Sequence, residues 1–270
     1  MTRPIRTTVA LAGAVALLSA CNSGGDGGGN DAGGEGAEFD LVSPGTLTAC
    51  SDVPYPPFEV EDPEAPSGYS GFDIDMLQAV ADNLGLDLAV QDTGFDALQS
   101  GTALAAGQCD IGASAITITP EREQNLDFTD PYYDSLQSLL VPADSDIESI
   151  DDLAGRTVGV QQGTTGQTYA EENAPEDAEL LELPSDGELW PALQAGQIDA
   201  ILQDLPVNQQ HVRDDEAYEV VEEYQTDEQY GFAVAKDLNP ELVDAVNAEL
   251  AALREDGTYD EIYDTYFTTD

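Results

Sequence analysis

Apolar residues recur along this chain with two periods, and the periods alternate. Residues 46–50 form an apolar run of strand length, and residues 72–85 follow with Met76, Leu77, Val80, Ala81 and Leu84 at helical spacing. Gly85 stops that helix, as glycine commonly does. The succession returns further on, with a strand at 157–161 and the helix it feeds at 164–173. A short strand at 232–235, an amphipathic helix at 240–253 and a helical tail at 256–267 complete the pattern. Strands alternating with helices predict an α/β fold with mostly parallel sheets.

An internal echo divides these elements between two lobes. The heptapeptides LAAGQCD (104–110) and LQAGQID (193–199) share Leu, Ala, Gly, Gln and Asp at corresponding positions. In each, a helical pattern ends at glycine and an apolar strand starts near the aspartate, at 110–114 and at 199–203. Five residues past the aspartate come Ala115 in one copy and Asp204 in the other. Ligands of open α/β sheets bind beyond the carboxyl ends of the strands, which is where both positions fall.

The amino terminus follows another pattern. Arg3 and Arg6 precede an apolar run, 9–18, that is too short to span a bilayer. Leu18-Ser19-Ala20-Cys21 has the form of a lipobox, so residues 1–20 read as a lipoprotein signal peptide and Cys21 as the lipidated first residue of the mature chain. The glycine-rich stretch that follows has almost nothing to bury, and 21–43 reads as lipidated cysteine plus flexible tether. These features place the folded part at the outer face of the cytoplasmic membrane, extracellular or periplasmic, anchored through lipid only.

Charge narrows the partners. The chain carries 7 Lys and Arg against 55 Asp and Glu; without Arg3 and Arg6 the balance is 5 against 55, a net charge of −50. Such a surface repels nucleic acid and anionic lipid. After Cys21 only Cys50 and Cys109 remain, which permits one disulfide or leaves two small buried thiols. The single histidine, His211, lies in a charged stretch read as exposed. With the cysteines it makes no zinc site, and no EF-hand spacing, phosphate loop or nucleophile–base pair is visible, so neither metal nor cofactor is expected.

Candidate chemistry concentrates in 110–133, DIGASAITITPEREQNLDFTDPYY. A strand passes into a turn bearing Ser114, Thr117 and Thr119, and Arg122 follows beside an acidic-aromatic run. A guanidinium next to two threonines suits a carboxylate, whose oxygens match its planar fork. The plain alternative is a surface arginine paired with a neighbouring acid. The loop from Gln162 to Gly166 leads from a strand into a helix start, where free amides and the helix dipole also favour an anion; alone, it would read as an ordinary capped helix.

With SDVPYPPFE, GYSGFDIDML, ITITPER, DFTDPYY, VGVQQGTTG, GQIDAILQD and REDGTYDEIYDTYF in this order over 46–267, the chain resembles the family-3 extracellular solute-binding proteins, substrate-binding lipoproteins of polar amino-acid ABC transporters. The resemblance implies a type II periplasmic-binding-protein fold. Two crossing hinge strands, at 135–138 and 227–231, would join lobe one (44–134 plus 232–270) to lobe two (139–226). It also implies a monomer that binds an L-amino acid by cleft closure and delivers it to the transmembrane subunits of an ABC permease.

Residue by residue, the resemblance implies that Arg122 and Thr117 hold the ligand carboxylate and that Thr165 closes over it from the second lobe. Asp204 would take the α-ammonium, completed by the Ala115 carbonyl and the Thr117 hydroxyl. Asp52, Tyr55, Phe95 and Gln161 would line the side-chain pocket, with Gln203 adjacent to Asp204. Tyr55 and Phe95 would sandwich an aliphatic stem, although Phe95 reads equally well as a core aromatic. No second Arg or Lys is evident to hold a side-chain carboxylate, which favours a polar neutral or cationic amino acid. Trp190 reads as a packing residue. Two other classes stay open: an enzyme on the same fold, of dehydratase or lytic type, and a sensor lipoprotein that presents its ligand to a receptor.

Overall fold

The computed structural model describes residues 39–268. The expected signal peptide, the lipidation site Cys21 and the tether up to residue 38 lie outside them. The first half of the described chain runs β1 (Thr46–Ser51), β2 (Val60–Glu61), β3 (Tyr69–Ser70), α1 (Phe72–Leu84), β4 (Asp87–Asp92), α2 (Phe95–Gln99), α3 (Thr102–Ala105), β5 (Ile111–Gly112), β6 (Leu126–Phe128) and β7 (Tyr133–Pro142). There follow β8 (Thr157–Gln161), α4 (Thr165–Asn173), β9 (Glu179–Leu183), α5 (Asp186–Gln194), β10 (Ala200–Asp204), α6 (Leu205–Asp214), β11 (Tyr218–Tyr230), β12 (Ala233–Ala235), α7 (Pro240–Asp256) and α8 (Thr258–Phe267).

Two five-stranded sheets result, in the orders β4-β1-β5-β12-β6 and β11-β7-β10-β8-β9. The two-lobe α/β architecture is the expected one, but the sheets are mixed rather than mostly parallel. In lobe one β1 pairs parallel with β4 and β5, while β12 runs antiparallel to β5 and β6. In lobe two β8 pairs parallel with β9 and β10, while β7 runs antiparallel to β10 and β11. The antiparallel half comes from the strands by which the chain leaves one lobe and returns to it. Periodicity reports burial, and it carries no record of strand direction.

Side-chain alternation explains why each sheet can be covered on both faces. In lobe two Leu139, Val141, Val158, Val160, Ala200 and Leu202 pack with Ala170 of α4. Leu140 and Ile201 point the other way, onto Leu189 and Leu193 of α5. In lobe one Leu47 and Ala49 meet Met76, Leu77 and Val80 of α1 and the Leu242, Val246, Leu250 stripe of α7. Cys50 faces the opposite side with Leu98, Leu104 and Leu126, and there it is joined to Cys109 by a disulfide, Cα–Cα 5.8 Å. Helix α1 begins at Gly71, whose backbone (φ 127°) lies so close to the Phe58 carbonyl that a Cβ would stand 2.2 Å from its oxygen. It ends at Gly85 in the left-handed region, φ 70°.

The long strands β7 and β11 pair antiparallel from Pro142 opposite Tyr218 to Tyr133 opposite Tyr230. Each is continuous with the chain of lobe one at its Tyr133 or Tyr230 end. Their register breaks twice, between Val220 and Glu222 and between Tyr224 and Glu228, and in the second break Asp227 takes a left-handed backbone, φ 51°.

Candidate functional site

On the lobe-one side, β5 is shorter than the expected strand because the chain turns at once after it. Ala115 sits at φ 45°, a strained conformation for a residue with a Cβ. Its amide donates to Asp73 Oδ2 at 2.9 Å, and the Tyr132 hydroxyl donates to the same oxygen at 2.7 Å. A fully buried carboxylate on α1 thus fixes the turn that carries Ala115 and Thr117. Burial lifts the Asp73 carboxyl to about 7, against the lowering effect of those two bonds.

Arg122 follows in a short 3₁₀ turn and is 5 % exposed, which rules out the surface-arginine alternative. Its Nη1 donates to the Thr117 carbonyl at 2.8 Å and its Nη2 to the Gly163 carbonyl of lobe two at 3.1 Å. The guanidinium lies 5.2 Å from the centre of the Phe95 ring, a cation–π distance. Two of its five N–H groups are thereby satisfied, and the side chain lines the cavity described below.

In lobe two, β8 leads through Gly163 to Thr164, whose hydroxyl caps α4 by accepting from the Gln167 amide at 3.1 Å. The amides of Thr165 and Gly166 fall in the first turn, where helical N–H groups have no intrahelical acceptor. Gly166 permits close packing on β10: a Cβ there would stand 2.8 Å from Gln137 Oε1 and 3.1 Å from the Leu202 carbonyl oxygen. At the end of β10, Asp204 accepts from the Tyr55 hydroxyl at 2.9 Å, the Tyr230 hydroxyl at 2.6 Å and Gln137 Nε2. Tyr55 belongs to lobe one, so this carboxylate is held from both lobes. Asp52 of lobe one likewise accepts from Gln161 Nε2 of lobe two at 2.6 Å.

These groups surround one small cavity, lined by Asp52, Tyr55, Phe95, Ser114, Ala115, Thr117, Arg122, Gln161, Thr164, Thr165 and Asp204. Its free volume is about 10 Å³, room for about one water molecule, so the lobes must part before a larger ligand can fit. Every expected ligand contact lines it except Gln203. Alternation along β10 turns Gln203 away from Asp204, and its Nε2 donates to Asp186 Oδ1 and Asn208 Oδ1, each at 3.0 Å. Phe95 lines the cavity and also packs with Cys50 and Leu98.

The electrostatics are lopsided. Burial pushes the Asp204 carboxyl up to about 7, with Glu228 adding to the rise, while the bonds from Tyr230, Tyr55 and Gln137 oppose it. Asp52 is pushed up to about 6, again by burial first; Gln161 pulls it down, and Asp92 and Asp186 push it up. Burial lowers Arg122, and Asp204 and Glu228 counteract it. Arg122 is the one Lys or Arg lining the cavity, against two carboxylates on its wall.

Sequence reasoning missed four buried groups around the site: Asp73, Gln137, Glu228 and Tyr230. For the acids no signal set them apart among 55. The expectation of an exposed His211 is corrected. It is 4 % exposed, stacks on Trp190 with ring centres 4.3 Å apart, and its Nε2 lies 2.9 Å from Asp186 Oδ1. The amphipathic face of α6 turns it inward although its sequence neighbours are charged. Among the described residues no cluster of three or more His, Cys, Asp or Glu could hold a metal ion, and no helix is long and apolar enough to cross a membrane.

The chain is similar in sequence and fold to known proteins. The model of the bacterial extracellular solute-binding proteins, family 3, matches residues 47–269. The chain is 36% identical over 205 residues to the ABC transporter glutamine-binding protein GlnH of Bacillus subtilis, covering 74% of this chain and 73% of that protein. It is 32% identical over 218 residues to the ABC transporter arginine-binding protein 1 of Escherichia coli K12, covering 79% and 87%. Among solved structures, an ancestral amino acid-binding protein, a precursor of cyclohexadienyl dehydratase, aligns with a TM-score of 0.76 and 37% identity over 83% of this chain and 96% of that one.

Proposed function

We propose that this chain, which belongs to the bacterial extracellular solute-binding proteins of family 3, captures one L-α-amino acid between its lobes and hands it to an ABC permease. The observation that carries the reading is the convergence of Arg122 from lobe one and Asp204 from lobe two on one enclosed cavity. A zwitterion loses water at both ends when it is enclosed, and each charge left unpaired would cost several kcal/mol. A guanidinium with the first amides of α4 answers the carboxylate, and a carboxylate answers the ammonium. Relatives named for arginine and for glutamine agree with the class.

The side chain points toward Asp52 and Gln161, between Tyr55 and Phe95. With no lysine or second arginine on the wall, the pocket favours a polar neutral or cationic side chain over glutamate or aspartate. Thermal unfolding of the purified full chain with each amino acid tests this. L-Arginine or L-glutamine should raise the midpoint in proportion to the logarithm of its concentration, and L-glutamate should not. Stabilisation by glutamate alone would overturn the side-chain assignment.

Lipid anchoring through Cys21, hinges at 135–138 and 227–231, and a monomeric carrier belong to the same proposal. The lipobox sequence and the strands β7 and β11 support it. An enzyme reading draws on one structural neighbour, an amino acid-binding protein that is a precursor of a dehydratase, and on two cleft carboxyls lifted toward neutrality, Asp52 and Asp204. Against it, the lone histidine touches Asp186 and Trp190 and does not line the cavity. Release of the bound amino acid unchanged supports the carrier; conversion during incubation would establish the enzyme.

A further inference from the structure

Glu228 lies on the second crossing strand and is 8 % exposed. It follows the second register break in β11, directly after the left-handed Asp227, and irregularities of this kind re-aim a side chain. Here the carboxylate is brought to the junction of the lobes. Its Oε2 accepts two hydroxyls, Thr117 Oγ1 of lobe one at 2.9 Å and Thr165 Oγ1 of lobe two at 2.8 Å. Its Oε1 accepts Gln137 Nε2 of the other crossing strand at 3.1 Å, and that nitrogen also donates to Asp204.

A threonine hydroxyl has one proton. Given to Glu228, it leaves only lone pairs for the cavity, which both threonines line and Glu228 does not. Lone pairs attract an ammonium and repel a carboxylate. We propose that Glu228 is a positioning residue for ligand recognition: by taking both protons it fixes Thr117 and Thr165 as acceptors and commits them, with Asp204, to the α-ammonium. The carboxylate is left to Arg122 and the first amides of α4. Because one hydroxyl comes from each lobe, this polarity exists only while the lobes are together, so recognition of the ammonium is completed by closure. The inference rests on the amino-acid reading above and revises two of the expected contacts, since the Thr117 and Thr165 hydroxyls are both withdrawn from the carboxylate and given to the ammonium.

A double-mutant cycle tests it, with the purified full chain titrated calorimetrically with L-arginine and L-glutamine. Glu228→Leu should weaken the amino acid that the unaltered protein binds by about tenfold, the worth of a hydrogen bond to a charged group. In a Thr117→Val/Thr165→Val background the same change should cost less than about threefold, because the hydroxyls through which it acts are gone. Glu228→Gln keeps an acceptor oxygen and should recover part of the loss, with the same dependence on the threonines; it serves also if the leucine variant fails to fold. An equal loss in both backgrounds, or no loss in either, would overturn the proposal while leaving the amino-acid reading intact. Failure of the unaltered protein to bind either probe or any other common L-amino acid would instead overturn the amino-acid reading, and this inference with it.

Discussion

The two echoed heptapeptides build the same scaffold and end in different chemistry. In both, a helix stops at a glycine with φ 66°, Gly107 or Gly196. In both, the aspartate that follows is tied to the neighbouring strand through its backbone: the Asp110 amide donates to the Thr48 carbonyl at 2.8 Å, and the Asp199 amide to that of Thr157 at 2.7 Å. The carboxylates return the favour, Asp110 accepting from the amides of Val42 and Thr48 and Asp199 from that of Thr157. Beyond the strand the copies part. Lobe one turns sharply at Ala115 and offers backbone, then Arg122; in lobe two the strand runs three residues further than β5 does and ends on Asp204. Position is set by the scaffold, and the sign of the charge is set by what stands after it.

Removing either end charge should have the largest effect. Arg122→Ala and Asp204→Asn should each weaken amino-acid binding by two to three orders of magnitude while the fold persists, since each leaves a ligand charge enclosed without a partner. Titration of both variants checks it, and near-normal affinity in either would assign that end of the ligand elsewhere.

The next effect separates folding from binding. The Asp204 carboxyl is raised from 3.8 to about 7 in the folded protein. An acid raised in this way stabilises the fold below its unfolded pKa, and that contribution is lost as pH rises from about 4 through about 7. Asp204→Asn should therefore gain stability relative to the unaltered protein over that range, by an amount on the order of several kcal/mol. Ligand affinity runs the opposite way, because the ammonium needs the ionised carboxylate; it should rise with pH across the same window. Urea unfolding and titration at pH 5 and pH 8 would show both trends.

Smaller effects probe the scaffold itself. Asp110→Ala leaves two amides without their acceptor and Asp199→Ala one, at roughly 1–3 kcal/mol for each buried group. Urea unfolding should find Asp110→Ala the more destabilised of the two. Smallest of all, Tyr55→Phe removes one interlobe bond to Asp204 and should lower affinity by a few-fold, about 1 kcal/mol.

Most of this was legible in the sequence wherever a residue's role follows from its neighbours in the chain. Strand β8 and helix α4 follow from periodicity and the Thr164 cap, and α1 from its apolar spacing and Gly85. Nine of the cavity residues follow from motifs in a fixed order. What was not legible depends on direction and long-range contact. Strand polarity gave mixed sheets in place of mostly parallel ones. Gln203 sits next to Asp204 in sequence and on the other face in space. His211 looked exposed because its neighbours are charged, whereas the helix face that carries it meets Trp190 and Asp186, some twenty residues away. Glu228 was one acid among many, and what distinguishes it, its bonds to Thr117, Thr165 and Gln137, joins residues far apart in the chain.

The most direct test of the central claim is calorimetric titration of the full chain, unfolded and refolded without reductant to strip any bound ligand, against all common L-amino acids. The account predicts saturable one-to-one binding of a polar or cationic amino acid, abolished when its carboxylate is amidated or its α-amino group is removed. No heat from any α-amino acid, or undiminished binding of a ligand lacking either group, would contradict the zwitterion clamp formed by Arg122 and Asp204.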